Sequence, residues 1–121
     1  MARILAVDDS PAMRQMVSVT LRSAGHEVVE AFDGREALDI AKRQAPVDLV
    51  ITDINMPNMD GITLVKELRQ LPHYRGVPLL VLTTEASAHK KQEGKAAGAT
   101  GWIVKPFNPE RLLAAVAKVV G

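Results

Sequence analysis

Asp8 and Asp9, Asp53, Thr83 and Lys105 each stand directly behind a short apolar run, at residues 4–7, 49–52, 79–82 and 102–104. Carboxylates, a hydroxyl and an ammonium group are the side chains with which proteins handle phosphate and hard metal ions. If the four runs are parallel strands, their carboxyl ends share one sheet edge, where open α/β folds hold their ligand chemistry. Two carboxylates about 4 Å apart repel by roughly 4 kcal/mol at an effective dielectric near 20, so gathering three of them calls for an opposing charge. Oxygen ligands and the absence of Cys point to Mg²⁺, which keeps several waters and binds through one or two carboxylates plus phosphate oxygens. Mg²⁺, the Lys105 ammonium and the Thr83 hydroxyl together meet the needs of a transferring phosphoryl group, and a remaining carboxylate can serve as nucleophile. Asp53, at the end of a central strand and followed by Asn55, Met56 and Pro57, is the candidate acceptor. Asp8 and Asp9 are the candidate metal holders, because adjacent side chains point to opposite faces of a strand and can converge only where the strand ends. Thr84 competes with Thr83 for the hydroxyl role.

The elements that must position these groups alternate five times between strand-like and helix-like patterns, which predicts βαβ units on a parallel sheet. Ser10 and Pro11 open the first helix, striped by Met13, Val17, Leu21 and Ala24 and ended by Gly25; Asp33 with Glu36 gives the second a capping-box start ahead of Ala37, Ile40 and Ala41. Asp60 caps a third helix striped by Leu64, Val65, Leu68 and Leu71 and closed by Pro72, and Asn108 with Pro109 opens the last, striped by Leu112, Leu113, Val116 and Val120. The fourth, expected over 86–97, carries Gly94, which costs about 1 kcal/mol relative to Ala and makes it the most mobile. Met13 and Met16 are expected in the core or at its edge. The runs at 4–7, 49–51 and 79–82 are unbroken and should be covered on both faces, whereas Glu27 and Glu30 flank Val28 and Val29 as an edge strand would. The short run at 102–104 suits the other edge, giving the order 2-1-3-4-5.

A chain of 121 residues fits one domain, 1–121, with a core that needs no disulfide staples. Fifteen basic against fourteen acidic residues leave a net charge of +1, which offers no electrostatic reason to expect nucleic acid. The first strand starts too early to leave room for a signal peptide, no run approaches a membrane span, and no second composition block follows the last helix. A cytoplasmic protein is expected. Lys90, Lys91, Lys95 and His89 read as the solvated face of the fourth helix, and none of the three histidines has a metal or catalytic context.

The segments AVDDS, ITDINMPNMDG, LLVLTTEA and GWIVKPF, in this order and spacing, resemble response-regulator receiver domains, and among them the stand-alone chemotaxis type. The resemblance spans the whole chain and implies the same flavodoxin-like (βα)5 order. It implies phosphorylation of Asp53 by a histidine kinase of the chemotaxis type. It also implies Mg²⁺ held by Asp9, Asp53 and the Asn55 carbonyl with Asp8 acting through water, and a cis Lys105–Pro106 bond. Thr83 would bond a phosphoryl oxygen and move toward it, and Lys105 would pair with the phosphoryl group. Asn55 and Glu85 would flank that group and set a short lifetime for it. The switch would couple Thr83 to Trp102, where Tyr or Phe is more usual and an indole needs more room. The face made by the fourth helix, fifth strand and fifth helix would change, in a monomer acting on a protein target such as a flagellar motor switch.

Two other readings compete. A phosphorelay intermediate would pass the group to a second histidine protein, and sequence barely separates it from the first. A haloacid-dehalogenase-type phosphatase, a true enzyme, shares the Asp, Thr, Lys and Mg²⁺, but resembles this chain less because Asn55 stands where that family has a second Asp.

Overall fold

The structure, a computed structural model, describes residues 1–120. Five strands, β1 (Arg3–Val7), β2 (Glu27–Ala31), β3 (Leu49–Thr52), β4 (Leu79–Thr83) and β5 (Gly101–Val104), pair in parallel in the order β2-β1-β3-β4-β5. Between and after them run α1 (Pro11–Ser23), α2 (Gly34–Arg43), α3 (Gly61–Gln70), α4 (Ala88–Ala97) and α5 (Pro109–Val120), with a 3-10 turn at Pro72–Tyr74. The expected flavodoxin-like α/β fold and strand order are both present. No described helix is long and apolar enough to cross a membrane.

Alternation along the central strands builds a core on each side of the sheet. Leu5 and Val7 of β1 pack with α2 and α3 around Leu64, Leu68 and Tyr74, while Ile4 and Ala6 face α1 and α5 through Leu21, Leu112 and Val116. Four helices begin on the side-chain caps that the sequence announces: Ser10 Oγ accepts the Met13 N–H at 3.3 Å, Asp33 Oδ1 that of Glu36 at 2.8 Å, Asp60 Oδ1 that of Thr63 at 2.7 Å and Asn108 Oδ1 those of Glu110 at 2.8 Å and Arg111 at 3.2 Å. The box around Asp33 closes one residue early, because the Glu36 carboxylate accepts the Phe32 N–H at 2.9 Å.

Some expectations need correction. Met16 is 55% exposed, since α1 turns only Val17, Ser18 and Leu21 fully inward, and Ala24 is an exposed C-cap outside the stripe; Met13 does pack at the core edge. The fourth helix starts at Ala88, two residues later than expected, because Ser87 caps it through the Lys90 N–H at 3.2 Å. The turn after α3 also carries an unforeseen core residue: Tyr74 is 1% exposed, and its hydroxyl accepts the Val47 N–H at 3.4 Å.

Candidate functional site

Parallel pairing brings the ends of β1, β3, β4 and β5 to one edge, and the acids and the lysine meet there. Carboxylate oxygens of Asp8, Asp9 and Asp53 lie within 4.8 Å of one another. Lys105 Nζ donates to Asp8 Oδ2 at 2.8 Å and to Asp53 Oδ2 at 2.9 Å. The second oxygen of each acid is held by backbone, Asp8 Oδ1 by the Ser10 N–H at 2.9 Å and Asp53 Oδ1 by the Ile54 N–H at 2.6 Å. Both acids are therefore locked in rotamer while one edge of the cluster, Asp9, stays exposed. Burial pushes the Lys105 ammonium toward its neutral form, but hydrogen bonds and charge from Asp8 and Asp53 outweigh it and raise its pKa above the ordinary lysine value.

Three carboxylates against one ammonium leave the pocket with surplus negative charge, all of it on hard oxygen atoms and open to solvent at Asp9. A divalent cation with oxygen preference and retained waters fits that donor set, and Mg²⁺ is such an ion.

Thr83 ends β4 beside this cluster, fully buried, its hydroxyl accepting the Glu85 N–H at 3.3 Å, whereas Thr84 is exposed. The Lys105 N–H donates to the Thr83 carbonyl at 2.8 Å, and the Lys105–Pro106 bond is cis. Asn55 lies exposed in the loop after β3. Glu85 turns its carboxylate to the Ser87 N–H at 3.2 Å and its carbonyl to the Trp102 indole N–H at 2.9 Å. The room an indole needs is supplied by α4: a Cβ on Gly94 would sit 2.6 Å from the Trp102 ring. The helix-breaking residue thus has a packing reason. Gly94→Ala should lower the melting temperature despite better helix propensity, by about 1–3 kcal/mol of overpacking, and should shift Trp102 emission to the red as the ring is displaced. A more stable variant with unchanged emission would refute this packing.

Sequence reasoning missed two contributors. Arg14 donates to the Asp8 carbonyl at 2.7 Å and to Glu30 at 3.2 Å, tying α1 to the acid pair. Its signal was a cation in the first turns of a helix, where the macrodipole disfavours it. Gly61 lets the start of α3 lie directly on the Asp53 carbonyl, where any Cβ would collide.

Comparison with known proteins identifies the family and the fold. A family model described as "Response regulator receiver domain" matches residues 4–117. The chain is 39% identical over 120 residues to a chemotaxis protein CheY homolog of Campylobacter jejuni, covering 98% of this chain and 92% of that one. The solved structure of the chemotaxis response regulator CheY4 of Vibrio cholerae superposes with a TM-score of 0.93 at 58% identity, covering 98% of each chain. The receiver domain of sensor histidine kinase PA1611 from Pseudomonas aeruginosa, solved with a magnesium ion coordinated in its active-site cleft, superposes at 0.92 with 30% identity, covering 99% of this chain and 98% of that one.

Proposed function

The chain belongs to the response-regulator receiver family of two-component signalling, and on that premise we propose that it accepts a phosphoryl group on Asp53 from a histidine kinase and relays the change to a protein target in chemotaxis. The observation that carries this reading is the pair of hydrogen bonds from Lys105 Nζ to Asp8 and Asp53, beside exposed Asp9. An Asp53 carboxylate oxygen forms the new O–P bond while the N–P bond of a phosphohistidine breaks and imidazole leaves. The Ile54 N–H holds the other oxygen and so presents the nucleophile in one orientation. Asp8, Asp9, Asp53 and the Asn55 carbonyl would hold Mg²⁺, which when bound supplies charge neutralisation for the acids and the incoming phosphoryl oxygens.

Lys105 then exchanges its bond to Asp53 for one to the phosphoryl group, and the Thr83 hydroxyl turns to a second phosphoryl oxygen. Turning it releases the Glu85 N–H and so loosens the loop to which Trp102 is tied. The face made by α4, β5 and α5 changes with it, a shift between two states biased by phosphorylation. Asn55 and Glu85 tune the lifetime of the group, Glu85 only after leaving the Ser87 N–H. No separate substrate is turned over, and a flagellar motor switch is the kind of target envisaged, in the cytoplasm.

The test is incubation with acetyl phosphate and Mg²⁺, followed by intact mass spectrometry and Trp102 emission with Mg²⁺ and beryllofluoride. One phosphoryl group per chain, with none incorporated when a chelator replaces Mg²⁺, and an emission change are expected. Multiple turnover of phosphomonoesters, or no incorporation at all, would overturn the reading.

A further inference from the structure

Asp33 is 3% exposed, and it does more than cap α2. Its Oδ1 serves the Glu36 N–H, while its Oδ2 accepts the side-chain amide of Asn58 at 2.7 Å, across 25 residues of sequence. Asn58 lies in the loop between β3 and α3 at φ +69°, the one non-glycine residue in the left-handed region among the described residues. Asn tolerates that conformation better than most residues, but a conformation so sparsely populated persists only where the surroundings over-determine it.

Those surroundings are the loop between β2 and α2. Beside the Asp33 bond, the Met59 carbonyl lies so close to Gly34 that a Cβ there would be 2.5 Å from its oxygen. The acceptor loop is closed at its base by the Gly61 N–H on the Ile54 carbonyl at 2.9 Å and at its tip by the Met59 N–H on the Pro57 carbonyl at 2.7 Å. Neither of these bonds fixes where the tip stands relative to the sheet edge. The Asp33–Asn58 bond and the Gly34–Met59 contact do, along with the side chains of Met56 and Met59, which pack against the core. The Asp33–Asn58 bond is the polar tie among these, and Asn55 lies between base and tip.

We propose that the Asp33–Asn58 hydrogen bond is a strap that holds the acceptor loop from outside the site and so positions the Asn55 carbonyl for a divalent cation. The inference rests on the reading that the Asp53 site takes Mg²⁺. Asp33 and Asn58 are positioning residues and touch neither metal nor phosphoryl group. Mg²⁺ demands near-ideal octahedral ligand geometry, so a loop released at its tip weakens binding even with every ligand present.

Isothermal titration of the full chain with Mg²⁺, alongside thermal melting, tests this. Asn58→Asp sets two carboxylates face to face and breaks the strap while adding negative charge near the site. Charge alone would tighten Mg²⁺ binding; loss of the strap should weaken it about tenfold. The exchange Asp33→Asn with Asn58→Asp restores an amide-to-carboxylate bond at unchanged net charge and should recover affinity to within about twofold. Asn58→Gly keeps the left-handed backbone but removes the bond, and should weaken binding to a similar degree; it stands in if Asn58→Asp does not fold. Wild-type binding with equal or tighter binding by Asn58→Asp and Asn58→Gly, or an exchange that fails to recover affinity, overturns the strap alone, whatever the melting temperatures do. Wild-type protein that does not bind Mg²⁺ removes both the strap and the reading beneath it.

Discussion

Asp53→Asn is expected to abolish phosphoryl incorporation from acetyl phosphate or a kinase, and at the same time to stabilise the metal-free protein. The first effect follows from chemistry, since a carboxamide is too weak a nucleophile to replace the carboxylate. The second follows from charge. The substitution removes two repulsions, with Asp8 and Asp9, and one attraction, with Lys105 Nζ at 2.9 Å. One hydrogen bond is lost as well, because the single amide oxygen of Asn cannot serve both the Ile54 N–H and Lys105, a cost of about 1 kcal/mol. The balance favours the variant by about 1 kcal/mol in chelator, and saturating Mg²⁺ should reverse it, because the wild-type protein binds the ion more tightly. Melting curves with and without Mg²⁺ check the sign. Retained phosphorylation of Asp53→Asn would place the acceptor elsewhere.

The features that were legible in the sequence share a physical cause: they are local. Unbroken apolar runs marked β1, β3 and β4 as covered on both faces, and Glu27 with Glu30 marked β2 as an edge, so burial separated central from edge strands, and the resemblance to receiver domains supported the full order. The strand-end acids could be assembled because parallel strands bring their carboxyl ends together whatever the loops do. Features set by contacts distant in sequence were not legible. In sequence Gly94 is a weakness of α4, whereas in the fold it makes room for the Trp102 ring. Asn58 and Asp33 belong to no common motif and meet only because two neighbouring loops cross the same sheet edge. Side-chain direction within a loop was equally hidden: Glu85 stood at the expected position, but its carboxylate bonds the Ser87 N–H. Residues that set the position of the catalytic groups without joining them were therefore the ones missed.

Lys105→Met is expected to destabilise the metal-free protein by about 3 kcal/mol, while leaving Asp53 able to accept a phosphoryl group. Lys105, Asp8 and Asp53 side chains are 8%, 6% and 11% exposed, so removing the ammonium strands two nearly buried carboxylates beside a third. An uncompensated buried charge costs more than the intact pair contributes, which is why the loss exceeds what a surface ion pair would give. Met fills the space of the lysine stem and limits the packing cost. Mg²⁺ should bind the variant more tightly than wild type, because no ammonium competes for Asp8 and Asp53, and it should restore most of the lost stability. Coupling is expected to fail separately: with no ammonium to follow the phosphoryl group, beryllofluoride and Mg²⁺ should bind without the full Trp102 emission change. The pH dependence gives an independent check of cause. The folded-state pKa of Lys105 is raised, so its stabilisation is fully present below the ordinary lysine value of about 10.4 and is lost as pH climbs through the higher folded value. The stability gap between wild type and Lys105→Met should hold steady from neutral to mildly alkaline pH and close only above about 10.4. A gap that persists unchanged through that range would assign the loss to packing of the lysine stem and not to its charge.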